Sequence, residues 1–196
     1  MKENIKYKTL IAQWSKTKII GYVDEVGRGA MFGELVACCI IIEKSFFNED
    51  INDSKKLSSK QRKLLEEIIK ENVEYSFGVV RVEEINRMNL DRANELAMIR
   101  AIEGLSKKLE VLFLDGNKEI DYPVKQIAVV KGDSEIYGIA CASILAKEYR
   151  DRMICEYDKD YPEYGLSGHK GYITKVHKEA IQKHGLTIFH RNYNLK

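Results

Sequence analysis

The stretch IIGYVDEVGRG at residues 19–29 decides how the rest of the chain is interpreted. Its apolar, β-branched start predicts a strand, and this strand leads directly into two adjacent carboxylates, Asp24 and Glu25. Two carboxylates at a buried strand end repel each other and resist the loss of water unless a cation lies between them. A solvated strand end followed by a tight glycine turn would explain the same letters. The other motifs must decide between the two interpretations.

The composition indicates one globular domain in a reducing compartment. A chain of 196 residues with 44% hydrophobic residues can form a single core. The net charge of +2 says little about partners, because a nucleic-acid binder of this composition needs its basic residues on one face. The four cysteines form no CxxC pair, which argues against a zinc knuckle or a disulfide framework. Without a signal peptide, an apolar run long enough for a bilayer or an oligomerisation signal, we expect a cytoplasmic monomer.

Hydrophobic periodicity predicts five strands and several helices. We expect strands at 18–23, 34–42, 75–82, 111–114 and 126–130. We expect helices at about 58–72, 89–105, 136–157 and 174–184, after a short helix or arm within residues 1–17. Three early strands followed by strands that alternate with helices favour an α/β domain with a mixed sheet covered by helices. Ligands of such sheets gather beyond the strand ends.

Acidic residues follow three of the predicted strands, at Asp24-Glu25, Asp115 and Asp133. Taken singly, Asp115 fits a hairpin turn and Asp133 fits a helix N-cap. Taken together, they indicate a shared site, and four carboxylates with few histidines suit Mg²⁺ or Mn²⁺ better than zinc. Neighbouring residues of a strand point to opposite faces. Asp24 and Glu25 can therefore share a cation only if the strand breaks at Glu25 or if the Glu25 side chain reaches round.

A pair of carboxylate-held metal ions suits phosphodiester hydrolysis, since one ion activates water and the other stabilises the leaving oxygen. Such a site needs cationic groups for the phosphate backbone. Ordinary surface charge would explain most of the candidates, which are Arg28, Lys55, Lys56, Lys131, Lys147, His169, Lys170, His190 and Arg191. The stretch YGLSGHKGY at 164–172 mixes aromatic and basic residues that can stack on sugars or bases, although a plain loop fits it equally well.

These motifs together resemble the type 2 ribonuclease H (ribonuclease HII) family. The resemblance runs in order over almost the whole chain. It is carried by DEVGRG at 24–29, DSKKLS at 53–58, LDGN at 114–117, KGD at 131–133, IACASILAKEYRD at 139–151, YGLSGHKGY at 164–172 with Thr174 and His177, and His190-Arg191. It implies an RNase H-like fold, with a mixed five-stranded sheet flanked by helices. Residues 1–196 would form one catalytic domain, with a small helical substrate-binding part from about residue 160 onward.

The resemblance also implies an activity. Members of this family hydrolyse the RNA strand of RNA–DNA hybrids and incise 5′ of single ribonucleotides in duplex DNA, leaving 3′-hydroxyl and 5′-phosphate ends. Two Mg²⁺ or Mn²⁺ ions would be held by Asp24, Glu25, Asp115 and Asp133. The substrate would be bound by Gly27, Arg28 and Gly29 at the ribose 2′-hydroxyl, by Tyr172 through stacking, and by Lys55, His169 and Lys170. A contact to the 2′-hydroxyl is the physical means of distinguishing RNA from DNA.

This chain departs from the family pattern in three places. Residues Ala30–Glu34 stand where small residues and proline are usual, and Ser167-Gly168 stand where a lysine is common. The third departure is Asn192-Tyr193, which follows His190-Arg191. Asp151 belongs to the family pattern, but an unbroken helix from 133 to 151 would separate Asp133 from Asp151 by about 27 Å. Either that helix starts later or Asp151 has another role. No tail that would bind a sliding clamp is evident.

Two other functions compete with this interpretation. The first is a non-catalytic protein that binds hybrids on the same fold, which would be expected to lose some of the four acids. The second is a metal-dependent phosphatase for small molecules, which would need neither Arg28 between two glycines nor a distant Tyr172. Retention of all four acids together with these two residues favours the nuclease.

Overall fold

Five strands form one mixed sheet in the computed structural model, which describes residues 5–42, 46–52 and 54–192. They are β1 (Ile20–Val26), β2 (Leu35–Ile42), β3 (Val73–Val80), β4 (Val111–Asp115) and β5 (Lys125–Val129). The order across the sheet is β3-β2-β1-β4-β5. The first three strands pair antiparallel, whereas β4 runs parallel to β1 and β5 runs parallel to β4. The predicted mixed five-stranded sheet is therefore confirmed.

Helices cover both faces of this sheet. They are α1 (Ile5–Trp14), α2 (Ser59–Lys70), α3 (Val82–Ile85), α4 (Leu90–Glu103), α5 (Gly132–Glu135), α6 (Tyr137–Asp160), α7 (Leu166–His169) and α8 (Lys175–His184). Short 3₁₀ turns lie at Ser54–Lys56 and Pro162–Tyr164. Helix α2 begins with the capping box that its sequence predicts, because the Ser58 hydroxyl accepts from Gln61 N–H while the Gln61 side chain accepts from Ser58 N–H. None of the described helices is long and apolar enough to cross a membrane.

Alternating residues of β1 face two separate cores. Tyr22 packs with Phe113 in the core on the α6 face, and Val23 packs with Leu114 in the core on the α4 face. This alternation places the next two residues on opposite faces as well. The sequence predicts that this strand ends at residue 23. In the structure, β1 continues to Val26 through pairing with β2.

A third core joins the loop after β1 to the C-terminal helices. It contains Met31, Phe32, Ile154, Tyr164, Leu166, Ala180 and Ile181. The segment Ala30–Glu34, where the chain departs from the family pattern, is therefore interior structure, since Met31 and Phe32 have no appreciable exposure. Asp53 and Tyr193, which belong to motifs discussed above, lie outside the described residues.

The helix after β5 is interrupted. Helix α5 ends at Glu135, Ile136 is extended with a φ of −129° and a ψ of 120°, and α6 starts at Tyr137. The sequence allows two explanations for Asp151, and a later start of this helix is one of them. Strand β3 ends two residues earlier than predicted, because residues 82–85 form α3 instead.

Candidate active site

Three acids converge at the C-terminal ends of β1 and β4. Asp24, Glu25 and Asp115 each place a carboxylate oxygen within 4.8 Å of the others. The β1–β4 ladder has its last pair at Val23 and Leu114, so both acids of β1 lie beyond the end of the ladder. Glu25 therefore reaches round the strand edge although it belongs to the opposite face. Its backbone N–H also donates to Asp24 Oδ1 at 2.8 Å, which holds the two residues together.

The electrostatics of this cluster favour binding of a cation. Burial, followed by the negative charges of Glu25 and Asp115, raises the pKa of Asp24 well above its usual value. Burial and the charge of Asp115 raise the pKa of Glu25 to about 7, against the opposing effect of Arg28. Burial also raises the pKa of Asp115, although the Gly132 N–H donates to its Oδ1 at 2.6 Å. Carboxylates that hold protons so strongly would exchange them for a metal cation.

Asp133 lies beside this cluster rather than within it. It is buried in α5, and its Oδ2 accepts from Lys55 Nζ at 3.2 Å. Its charge contributes to the raised pKa values of Asp24 and Asp115. In the described part of the chain, Asp133 is not among the residues whose oxygens lie within 4.8 Å of one another. Its role as a metal ligand stays a prediction.

A cleft of about 430 Å³ opens over the three acids. Its other walls are the turn at 26–29, Ser54 and Lys55, Ser143 and Lys147, and Tyr172. The structure thus brings together the acids and five of the predicted substrate-binding residues, namely Gly27, Arg28, Gly29, Lys55 and Tyr172. The Arg28 guanidinium pairs with Asp91 of α4 at 2.5 Å, with both side chains more than half exposed. Such an exposed pair is weak, so that Arg28 could exchange Asp91 for a phosphate.

Sequence comparisons identify the family to which this site belongs. The sequence model of ribonuclease HII matches residues 20–193. Ribonuclease HII of Parabacteroides distasonis is 47% identical over 170 residues, which cover 86% of this chain and 85% of that protein. The chain belongs to the ribonuclease HII family. Ribonuclease HII of Bacteroides thetaiotaomicron is 44% identical over 189 residues, which cover 95% of this chain and 94% of that protein. Membership makes the chain an RNase H endonuclease, a hydrolase of phosphodiesters.

Two solved structures with the same fold support the architecture. The ribonuclease H2 from Pyrococcus horikoshii OT3 superimposes with a TM-score of 0.74 at 24% identity, covering 88% of this chain and 92% of that one. Bst-RNase HIII in complex with Mn²⁺ superimposes with a TM-score of 0.69 at 17% identity, covering 88% and 65% of the two chains. The predicted RNase H-like fold is thus confirmed.

Two predicted substrate-binding residues, His169 and Lys170, have side chains that bond to neighbouring residues of the chain. Lys170 has a left-handed φ of 53° at the end of α7, and its Nζ donates to Ser167 O at 2.6 Å and to Cys155 Sγ at 3.2 Å. His169 Nε2 lies 2.9 Å from Tyr164 O, and its ring stacks on His177. Neither His169 nor Lys170 is among the described residues that line the cleft. Contact of these two side chains with the substrate stays a prediction.

Two fully buried arginines fix the loop that carries the glycine-arginine-glycine turn. Arg150 of α6 donates to Phe32 O at 2.9 Å, Glu34 O at 2.8 Å and Lys170 O at 2.9 Å. Arg191 donates to Gly27 O at 2.7 Å and Gly33 O at 2.8 Å, so it is an internal donor and not a surface cation for phosphate. Sequence reasoning missed the role of Arg150. The available signal is its helical spacing, because Ala146 and Ile154, four residues on either side, are buried.

Lys147 is a second residue that the sequence did not single out strongly. It lines the cleft, and its Nζ donates to Asp151 Oδ1 at 2.5 Å, one helical turn further along α6. Burial lowers the pKa of Lys147, and Asp151 opposes that effect. Arg62 of α2 approaches Asp151 at 3.7 Å. Asp151 therefore supports a cation at the cleft and is not one of the three clustered acids.

Proposed function

We propose that this ribonuclease HII hydrolyses the RNA strand of RNA–DNA hybrids and also incises 5′ of single ribonucleotides embedded in duplex DNA. The products would carry 3′-hydroxyl and 5′-phosphate ends. The observation that supports the proposal is that one cleft contains both the acid cluster and the 26–29 turn with Tyr172. The acids provide for hydrolysis of a phosphodiester, and the turn with Tyr172 provides for selection of the position that is cut.

The donor set fits two Mg²⁺ or Mn²⁺ ions. Asp24, Glu25 and Asp115 offer only oxygen ligands, which these hard cations prefer, and burial followed by the neighbouring carboxylates raises their pKa values. Asp133, whose Oδ2 accepts from Lys55, lies close enough to act on this charge. Bound ions would supply an activated water and a stabilised leaving oxygen.

The residues around the acids would bind and orient the substrate. Lys55 and Lys147 place ammonium groups on the walls of the cleft, where phosphate oxygens of the cut strand would lie. Arg191 donates to Gly27 O and so fixes the backbone of the turn at 26–29. The exposed side of this turn can then approach the ribose closely. Tyr172 also lines the cleft, where its ring can stack on a sugar or base. A contact between the turn and a 2′-hydroxyl would select the ribonucleotide.

We further propose that this chain acts in the cytoplasm, on RNA–DNA hybrids and on duplex DNA that contains ribonucleotides. All four of its cysteines are free thiols, which suits a reducing compartment. The rival functions differ in measurable ways. A non-catalytic binder would leave the duplex intact, and a small-molecule phosphatase would show no preference for a duplex.

A cleavage assay with two variants tests the proposal. The substrate is a duplex with one embedded ribonucleotide, incubated in Mg²⁺ with and without EDTA, beside an all-DNA duplex. Asp24→Asn and Asp115→Asn should each lower cleavage by more than about 100-fold, while binding of the hybrid and a cooperative thermal unfolding transition persist. The matched control is Asp160→Asn, on an exposed aspartate at the end of α6, which should leave cleavage unchanged. Full activity of either cluster variant in Mg²⁺ would contradict the assignment.

A further inference from the structure

The dipeptide His190-Arg191 is a motif to which the proposed catalysis assigns no task. Both residues are buried, with exposed fractions of 3% and 0%. The backbone of this segment pairs with the loop after β1, because Arg191 N–H donates to Met31 O at 2.8 Å and residues 32 and 190 form an isolated β-bridge. The two side chains then reach two different elements of the cleft.

Arg191 reaches the turn that contains Arg28. Its Nη1 donates to Gly27 O at 2.7 Å and to Arg28 O at 3.3 Å, and its Nε donates to Gly33 O at 2.8 Å. These carbonyls lie at both ends of the loop that follows β1. One planar guanidinium therefore fixes the backbone on which the Arg28 side chain is mounted.

His190 reaches Tyr172 through a second histidine. Thr187 N–H donates to His190 Nδ1 at 2.9 Å, His190 Nε2 lies 3.3 Å from His177 Nε2, and His177 Nδ1 lies 3.0 Å from Tyr172 O. The backbone donor of Thr187 requires an unprotonated Nδ1 on His190, so the neutral ring carries its proton on Nε2. That proton faces His177 Nε2, which must then be an acceptor. His177 consequently carries its proton on Nδ1 and donates it to the carbonyl of Tyr172.

We propose that His190-Arg191 is one positioning element for two parts of the cleft lining, with Arg191 setting the turn at 26–29 and His190 setting Tyr172 through His177. The proposal rests on the proposed function, because it assumes that the turn and Tyr172 recognise the ribonucleotide. It assigns no contact with the substrate to any of the three side chains.

The surroundings make the hydrogen-bond chain stiff. His177 is fully buried, and the His169 ring stacks on it with centroids 4.4 Å apart. The Phe32 ring meets the His190 ring edge-on at 4.9 Å. Burial lowers the pKa of His177, and burial together with His177 lowers the pKa of His190 to about 4. Both rings are thus neutral at physiological pH. The hydrogen bonds from Thr187 through His190 and His177 to Tyr172 require this state, because each ring accepts at one nitrogen and donates from the other.

A variant at His177, in the hydrogen-bond chain from His190 to Tyr172, tests the proposal through the choice of cleavage position. The substrate is a duplex with a run of four ribonucleotides, and the quantity measured is the ratio of cleavage at the RNA–DNA junction to cleavage elsewhere in the run. This ratio comes from a single reaction and does not depend on the fraction of folded enzyme. His177→Leu should lower the ratio by about 10-fold or more, since small misplacements at a site have effects of this size. His184→Leu, on an exposed histidine of α8, should leave the ratio unchanged.

Two further variants separate positioning from a general loss of structure. His177→Asn retains an N–H donor near the position of Nδ1 and should recover part of the ratio. Combining His177→Leu with Tyr172→Ala should lower the ratio no further than Tyr172→Ala alone, because one effect acts through the other. An unchanged ratio in His177→Leu, or additive effects in the double variant, would overturn the proposal.

A measurement on the wild-type protein keeps the proposal testable if His177→Leu does not fold. Nitrogen-15 NMR of the imidazoles should show the proton on Nδ1 of His177 and on Nε2 of His190. The opposite tautomer on either ring would overturn the proposal that His190 positions Tyr172 through His177. The failure of the proposed function is distinguishable, because wild-type enzyme would then show no preference for the junction whatever the tautomers are.

Discussion

Replacing Glu25 by glutamine should stabilise the metal-free protein at alkaline pH. The pKa of Glu25 is raised from 4.5 to about 7, which corresponds to about 3 kcal/mol between the two protonation states. Below pH 4.5 the carboxyl is protonated in both the folded and the unfolded chain, so it has no effect on stability. Between pH 4.5 and 7 the folded state binds more protons, and stability falls as the pH rises. Above pH 7 the full cost of about 3 kcal/mol remains, and Glu25→Gln removes it.

The assay is urea denaturation in EDTA at several pH values between 4.5 and 8.5. Glu25→Gln should exceed wild type in free energy of unfolding by up to about 3 kcal/mol at pH 8, and the difference should vanish near pH 4.5. Glu49→Gln, on an exposed glutamate, provides the control and should show no such trend. Saturating Mg²⁺ should reduce or reverse the difference, because the cation stabilises only the charged cluster. A difference that is independent of pH would refute the electrostatic reasoning.

Three other variants or conditions test parts of the structure. Gly27→Ala should cost about 2–3 kcal/mol of stability, because Gly27 has a φ of +88° and an added Cβ would lie 2.2 Å from a buried guanidinium. Gly29→Ala, with no atom within 4 Å of the added Cβ, should cost less than about 0.5 kcal/mol, and equal costs in urea denaturation would contradict this account. Tyr157→Phe removes the 2.6 Å hydrogen bond to the buried Glu34 and should cost about 1–3 kcal/mol, most of which a second change, Glu34→Leu, should restore in the same assay. Mg²⁺ at 100 times its dissociation constant should raise the free energy of unfolding by about 2.7 kcal/mol, and this gain, followed by calorimetry, should be absent when one acid of the cluster is replaced by its amide.

The sequence was sufficient to predict the sheet and the convergence of three of the four acids. Their signals are local, since an apolar run predicts each strand and an acid follows it. The β1 stretch shows the limit of local signals. Side-chain alternation separates Asp24 from Glu25, and only the early end of the β1–β4 ladder at Val23 and Leu114 explains how both reach one point. The length of a ladder depends on the partner strand, which no property of residues 19–29 specifies.

The supports of the cleft could not be predicted for a related reason. Arg150 bonds to Glu34 O and Phe32 O, residues more than 100 positions away, and Arg191 bonds to Gly27 O. Their acceptors are backbone carbonyls, which every residue has, so no pairing of residue types marks the contact in the sequence. The contacts of Lys170 have a similar origin, because composition alone cannot show that its backbone is left-handed and that its Nζ donates to Cys155 Sγ.

The same dependence on backbone groups explains why this chain tolerates its departure at Ala30–Glu34. The contacts that fix this segment are Met31 N–H to Gly171 O, Gly33 N–H to Phe189 O and the carbonyls held by the two arginines. The segment makes these contacts through its backbone, and two positions require glycine. Gly33 has a φ of +79° and an added Cβ there would lie 2.4 Å from Ile154 Cδ1, while an added Cβ at Gly171 would lie 2.6 Å from Phe32 O. Met31 and Phe32 of the departing segment belong to the third core, and Tyr157, which packs against this core, donates to the buried Glu34 carboxylate. Substitutions within Ala30–Glu34 should therefore change stability, while changes to Gly171, His177 or Arg191 should change where the enzyme cuts.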